Sequence, residues 1–248
     1  MQQKITFGKR LMSAILILFM AAAVLVACPS RAQALTASSS SLAHYNKDEK
    51  PVADAFRNSY SKTLANSIVG RAIWYMEYGF IVYGHSKYSS TGYCDCSQFV
   101  SMVYRDFGYS LTTASRNYNT VGKAVSGVSC RNGVIYGTDN LKPGDIFTFW
   151  TTENTGSWHI GHVAIYIGKI NGKPRIIGTL KGNPTAIGIL SGLPGWYGDH
   201  FNGVRRVLPA SAYQTGGSIK DRGPVIPSVY RMVKFTKVIL PSKLSNGF

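Results

Sequence analysis

The stretch Asp95-Cys96-Ser97-Gln98-Phe99-Val100-Ser101-Met102-Val103-Tyr104-Arg105-Asp106-Phe107-Gly108 reads as a capped, amphipathic helix. Phe99, Val100, Val103, Tyr104 and Phe107 share one helical face, and Gly108 supplies a stop. Asp95 is a good N-cap residue, and Gln98 three positions later completes a variant of the capping box. Cys96 is therefore expected in the first turn. There, free N–H groups and the helix dipole favour a thiolate and can also hold the oxyanion of a tetrahedral intermediate. Taken alone, Cys96 is equally well read as a small, inert core residue.

Downstream of a polar, Gly-rich middle (Thr112 to Asn140), the pattern changes to strands. Leu141-Lys142-Pro143-Gly144 reads as a turn and Asp145 to Trp150 as a strand. After the polar loop Thr151 to Gly161, the β-branched run His162 to Gly168 predicts a second strand. Asn171-Gly172 signals a hairpin turn into a third, Arg175 to Leu180. Strict alternation puts His162, Ala164 and Tyr166 on one face and Val163, Ile165 and Ile167 on the other. A helix followed by an antiparallel meander is an α+β arrangement.

An imidazole reaching Cys96 from a neighbouring strand would make a nucleophile–base pair, and the same ring could protonate a leaving amine. A strand histidine by itself is more often structural, and spacing does not place His162 beside Cys96. His159-Ile160-Gly161-His162 also spells the HIGH signature of class I aminoacyl-tRNA synthetases, but the chain is too short and lacks a KMSKS loop. Its His-x-x-His spacing fits some metal sites, yet no nearby acid or third histidine completes a ligand set.

Four segments in order resemble the NlpC-type (papain-like) cell-wall cysteine peptidases. Asp95-Cys96-Ser97-Gln98-Phe99-Val100 is similar to their D-C-S-G-F-V nucleophile segment, and Leu141-Lys142-Pro143-Gly144-Asp145-Ile146 to their L-x-P-G-D-L turn. Gly161 to Gly168 resembles their H-V-G-I-Y-I-G histidine strand, and Asn202 to Val207 their closing strand. The resemblance covers about residues 55–208. It implies a papain-like α+β domain without metal or organic cofactor, hydrolysing amide bonds in peptidoglycan stem peptides, often between D-glutamate and diaminopimelate or lysine. Cys96 takes the nucleophile role in it and His162 the base. Asp95 and Ser97 match positions that bind the substrate's free amine in some members. Where the family has a cleft-lining Tyr-x-Trp-Gly-Gly, Tyr83-Gly84-His85 is the nearest text, which makes Tyr83 a substrate-binding candidate. Gln98 replaces the family's glycine. The polar residue that orients the base falls at Gly178 or Thr179; glycine cannot serve, leaving Thr179 or Asn183 as the third catalytic candidate.

Lys4, Lys9 and Arg10 precede the apolar run Leu11 to Ala27 and the A-x-A site Ala32-Gln33-Ala34, the signature of a signal peptide over residues 1–34. Leu25-Val26-Ala27-Cys28 resembles a lipobox, an alternative in which Cys28 carries a lipid anchor. Removal of residues 1–34 takes four cations and no acid, lowering the net charge from +16 to +12. Outside a cell such a surplus suits anionic wall polymers, and an exported chain rarely meets nucleic acid. Of the cysteines left, Cys94, Cys96 and Cys130, the outer two can pair and leave Cys96 free. No CxxC pair is present to build a structural zinc site. The sequence thus divides into a signal peptide, a flexible leader over 35–54, a peptidase domain over 55–210 and an extension over 211–248. A catalytically weak wall-binding protein and an amidase or acyltransferase are the competing functions on this fold.

Overall fold

The computed structural model describes residues 43–79, 81–85, 92–180 and 186–224. Helices pack on one face of a six-stranded antiparallel sheet, an α+β architecture. A π-helical turn, Tyr45–Glu49, leads into α1 (Lys50–Asn58), and α2 (Leu64–Tyr78) follows, its first turn capped by Thr63, which accepts from the Asn66 N–H at 3.1 Å. Two short parallel strands, β1 (Val82–Tyr83) and β2 (Tyr93–Cys94), precede α3 (Cys96–Arg105). The strands β3 (Lys123–Ala124), β4 (Ser129–Arg131), β5 (Val134–Tyr136), β6 (Ile146–Thr151), β7 (His159–Ile170), β8 (Lys173–Thr179) and β9 (Ile187–Ser191) come next, then the helical turn α4 (Trp196–Asp199) and β10 (Phe201–Arg206).

The main sheet runs β3-β10-β6-β7-β8-β9, and β4 and β5 form a separate hairpin. Asn171 and Gly172, with φ of 51° and 74°, make the left-handed turn that a two-residue hairpin between β7 and β8 requires. Asn132 and Gly133, at 49° and 74°, repeat it between β4 and β5.

Alternation along β7 sorts the two cores. Val163, Ile165 and Ile167 join Ile177, Ile187 and the helix residues Ile68, Phe99 and Val103 on the helical side. Ala164 and Tyr166 join Phe147, Phe149, Ile176 and Val204 on the other. Burial of these large side chains, each fully covered one contributing about 1.5–3 kcal/mol, is what fixes the strand register.

Packed structure reaches past both expected domain limits. Within the stretch read as a leader, residues 43–54 are helical, and Tyr45, Val52 and Ala53 are buried in the helical core. The Tyr45 hydroxyl donates to the buried Glu77 carboxylate at 2.7 Å, Arg57 pairs with the same carboxylate, and Glu49 accepts the Ile189 N–H at 3.3 Å. At the other end, Ala212 is buried beyond residue 210, and Arg71 bridges buried Asp106 and the later Asp221 at 2.8 Å each. Periodicity missed these attachments because each depends on one long-range polar partner. The expected signal peptide, Cys28 and the stretch from 225 onward lie outside the described residues.

Candidate active site

Cys96 opens α3 as the capping pattern requires. The Gln98 N–H donates to Asp95 Oδ1 at 2.8 Å, and the Asp95 N–H donates to Gln98 Oε1 at 3.1 Å. Ser97 Oγ shares its one proton between the same Asp95 oxygen at 2.8 Å and the Thr113 carbonyl at 2.7 Å. The cap thus doubles as a scaffold that fixes both neighbours of the cysteine.

The sulfur of Cys96 meets the backbone of β7 on either side of His162, and no hydrogen bond joins it to the His162 ring. Its thiol donates to the Gly161 carbonyl at 3.8 Å, and the Val163 N–H points back at it. These two groups flank His162 on the strand edge. The His162 ring rises from the strand on the Phe149 side, with its centroid 5.7 Å from that of Phe149, 5.7 Å from Tyr197 and 6.3 Å from Trp196. Nε2 of this ring is buried without a hydrogen-bond partner.

The protonation states differ from the sequence expectation of a stabilised thiolate. Burial, seconded by the Asp95 charge, pushes the Cys96 thiol up to about 12, and the N–H groups of Val163, Ser97 and Cys96 only partly oppose it. Burial also lowers His162 to about 4, against a small upward pull from Asp95. At neutral pH the site therefore rests as thiol and neutral imidazole. That form of the ring can accept a proton.

A cleft of about 330 Å³ opens over Cys96, lined by Tyr83, Asp95, Ser97 and Gly161 and by four charged or titratable groups that sequence reasoning did not assign: His85, Arg116, Glu153 and His159. Tyr83 reaches it through the parallel pairing of Tyr83 with Cys94. Burial, followed by the charges of Cys96 and Asp95, raises the Tyr83 phenol. Nδ1 of the exposed His85 lies 3.2 Å from Asp95 Oδ2, the carboxylate oxygen that faces the cleft. Nδ1 of His159 is held by Thr155 Oγ1 at 3.1 Å and the Ser157 carbonyl at 2.9 Å. The four come from separate stretches at 85, 116 and 153–159, so only the fold gathers them.

Thr179 is not brought to His162. It pairs across the sheet with Ile187 of the helical core, whereas His162 pairs with Phe149 of the opposite core, so the two side chains leave the sheet in opposite directions. Thr179 Oγ1 is buried without a hydrogen-bond partner. The residue on the His162 face is Gly178, where an added Cβ would meet Ala164 Cβ at 3.3 Å. Asn183 lies outside the described residues. The Cys94–Cys130 pairing is not formed: Cys94 is a free thiol buried beside α3, and Cys130 a free thiol on β4. Among the described residues, no group of three or more His, Cys, Asp or Glu side chains is arranged to hold a metal ion, and no helix is long and apolar enough to cross a membrane.

No curated protein matches the sequence. Solved structures similar to it include an NLP/P60-family protein described as similar to lipoprotein from Staphylococcus aureus, at 25% identity over 60% of this chain and 43% of that one, with a TM-score of 0.41. An NlpC/P60 family protein from Bacillus cereus is 22% identical over 57% and 40% of the two chains, with a TM-score of 0.40. NlpC2 from Trichomonas vaginalis is 18% identical over 61% and 49%, with a TM-score of 0.42. The chain spans less than half the length of each. Over residues 81–185, the stretch that runs from β1 through α3 and the histidine strand to just past β8, the chain matches the NlpC/P60 family.

Proposed function

We propose that this chain is an exported cysteine peptidase that hydrolyses amide bonds in peptidoglycan stem peptides, with Cys96 as nucleophile and His162 as general base. The NlpC/P60 match supports the class of enzyme and the substrate. The observation that carries the reading is the seat of the Cys96 sulfur against the two backbone groups flanking His162, at the floor of an open cleft. With thiol and imidazole both neutral at rest, the ring takes the thiol proton as sulfur attacks the amide carbon. It then returns that proton to the leaving amine, and water releases the acyl group. The N–H groups at the start of α3 are placed for the tetrahedral oxyanion.

In this reading Asp95, Ser97 and Tyr83 hold the free ammonium of the stem peptide, one negative charge and two hydroxyls at the mouth of the cleft. The ammonium takes Asp95 Oδ2 from His85, whose side chain is exposed and free to swing aside. The preferred bond is D-glutamyl to diaminopimelate or lysine. Residues 1–34 act as the export signal, or Cys28 as a lipid anchor, and the cationic surface favours anionic wall polymers. Digestion of purified muropeptides by wild type and Cys96→Ala, with products read by mass spectrometry, tests the proposal. New amines from wild type alone support it; equal release by both removes it.

A second reading, a wall-binding protein of weak activity, is favoured by the bare Gly178 and by a thiol held far above neutral pH. It expects muropeptide binding without turnover.

A further inference from the structure

On β8 the residue beside Thr179 that shares the face of His162 is a glycine, set against Ala164, and the threonine itself points the other way. The ring is nevertheless walled on three sides. Trp196 and Tyr197, the first two residues of α4, approach it edge to face at interplanar angles of 86° and 61°, and Phe149 closes the third side at 46°. The three walls also support each other. Phe149 and Tyr197 lie 5.4 Å apart, Trp196 and Tyr197 5.4 Å, and Phe149 and Trp196 6.2 Å.

The outer wall is braced in turn. His200 stacks on Trp196 at 4.4 Å and 13°, lies 4.6 Å from Trp150 of β6, and has Nδ1 at 2.9 Å from the Trp196 carbonyl. The turn itself is pressed onto the β4–β5 hairpin, where a Cβ at Gly198 would come within 2.6 Å of the Leu193 carbonyl and 3.2 Å of Gly133. An element this tightly backed can hold an imidazole without a hydrogen bond, because edge-to-face aromatic pairs have preferred distances and angles.

We propose that Trp196 and Tyr197 are positioning residues that fix the His162 ring by aromatic contact, in place of the polar partner that β8 does not supply. They lie outside residues 81–185, the stretch that matches the family. This inference rests on His162 being the base. Trp196 is still 38% exposed, so substrate entering beside it would complete the enclosure.

The test combines substitution with a readout that needs no turnover. In long-range ¹H–¹⁵N spectra of the full chain, wild-type His162 gives one sharp tautomer, with nuclear Overhauser contacts from its ring protons to Trp196 and Tyr197. Trp196→Leu and Tyr197→Leu average that signal between rotamers and lower kcat on muropeptides by about 100-fold with KM little changed, the cost of a misplaced catalytic group. Tyr197→Phe, which keeps the ring, retains the wild-type spectrum and kcat. A single sharp His162 signal and full kcat in both leucine variants overturn the proposal, as does Tyr197→Phe behaving like Tyr197→Leu. Should the leucine variants not fold, missing ring contacts in the wild-type spectrum overturn it, and their presence together with an intact Tyr197→Phe upholds it. A wild type that cleaves nothing refutes the proposed activity instead, and the spectra still decide the positioning.

Discussion

Asp95 does two jobs that a pair of substitutions separates. Oδ1 caps α3 through the Gln98 N–H at 2.8 Å, while Oδ2 faces the cleft, where His85 now lies 3.2 Å away. Asp95→Ala removes both. Loss of an N-cap costs about 0.5–2 kcal/mol. For a domain of this size, that lowers the melting temperature by roughly 1–8 °C. Ser97 adds little to the loss, because its hydroxyl keeps the Thr113 carbonyl. Asp95→Asn retains a capping oxygen and sheds only the charge, so its melting temperature stays within about 2 °C of wild type. A charge-assisted hydrogen bond to the substrate ammonium contributes about 1.5–3 kcal/mol. Its loss raises KM by roughly 10- to 100-fold in both variants. Thermal melts followed by circular dichroism and steady-state kinetics on a stem peptide with a free N-terminus give both numbers. Asp95→Asn with wild-type KM, or melting as low as Asp95→Ala, refutes this division of labour.

With its thiol near 12, Cys96 is about one part in 10⁴ thiolate at pH 8, so iodoacetamide labelling of resting protein rises about tenfold per pH unit from 7 to 10, with no plateau. At any one pH, Asp95→Asn labels faster than wild type, since the neighbouring charge that raises the thiol is gone. His162 titrates near 4 folded and 6.5 unfolded, so between those values the unfolded chain binds more protons. Stability therefore falls as pH drops from 6.5 to 4, by up to about 1.4 kcal/mol per unit, and urea melts of His162→Phe show a shallower decline. Arg71→Met strands the buried Asp106 carboxylate and releases Asp221. Breaking a buried pair costs about 3–5 kcal/mol, a drop of roughly 6–20 °C in melting temperature that calorimetry can read.

The sequence carried what is local and periodic. The capping box of α3, the Asn171-Gly172 hairpin and the two faces of β7 are all short-range patterns, and the structure holds each of them. Asn132-Gly133 offered the same turn signal within the polar, Gly-rich middle, with only three-residue strands to flank it. The π-helical turn before α1 was hidden because Tyr45 and Glu49 are fixed by Glu77 and Ile189, partners 32 and 140 positions away. Thr179 was a fair choice by spacing from His162, but a one-residue offset on a strand reverses the face. The thiol was expected low because a helix N-terminus favours charge; burial to 3% exposure outweighs that here. Trp196-Tyr197 carries no periodic signal at all, and only the return of the chain between β9 and β10 sets it against His162.

Cysteine-based acyl transfer leaves a mark that no binding protein leaves. Acid-quenched intact-mass spectrometry during the first turnovers of a stem peptide, followed by peptide mapping, reads it directly. The account predicts a mass increment equal to the acyl fragment, borne by Cys96 and absent, together with the product amine, in Cys96→Ala. Product formed at the wild-type rate by Cys96→Ala, or an adduct mapping to another residue, contradicts it.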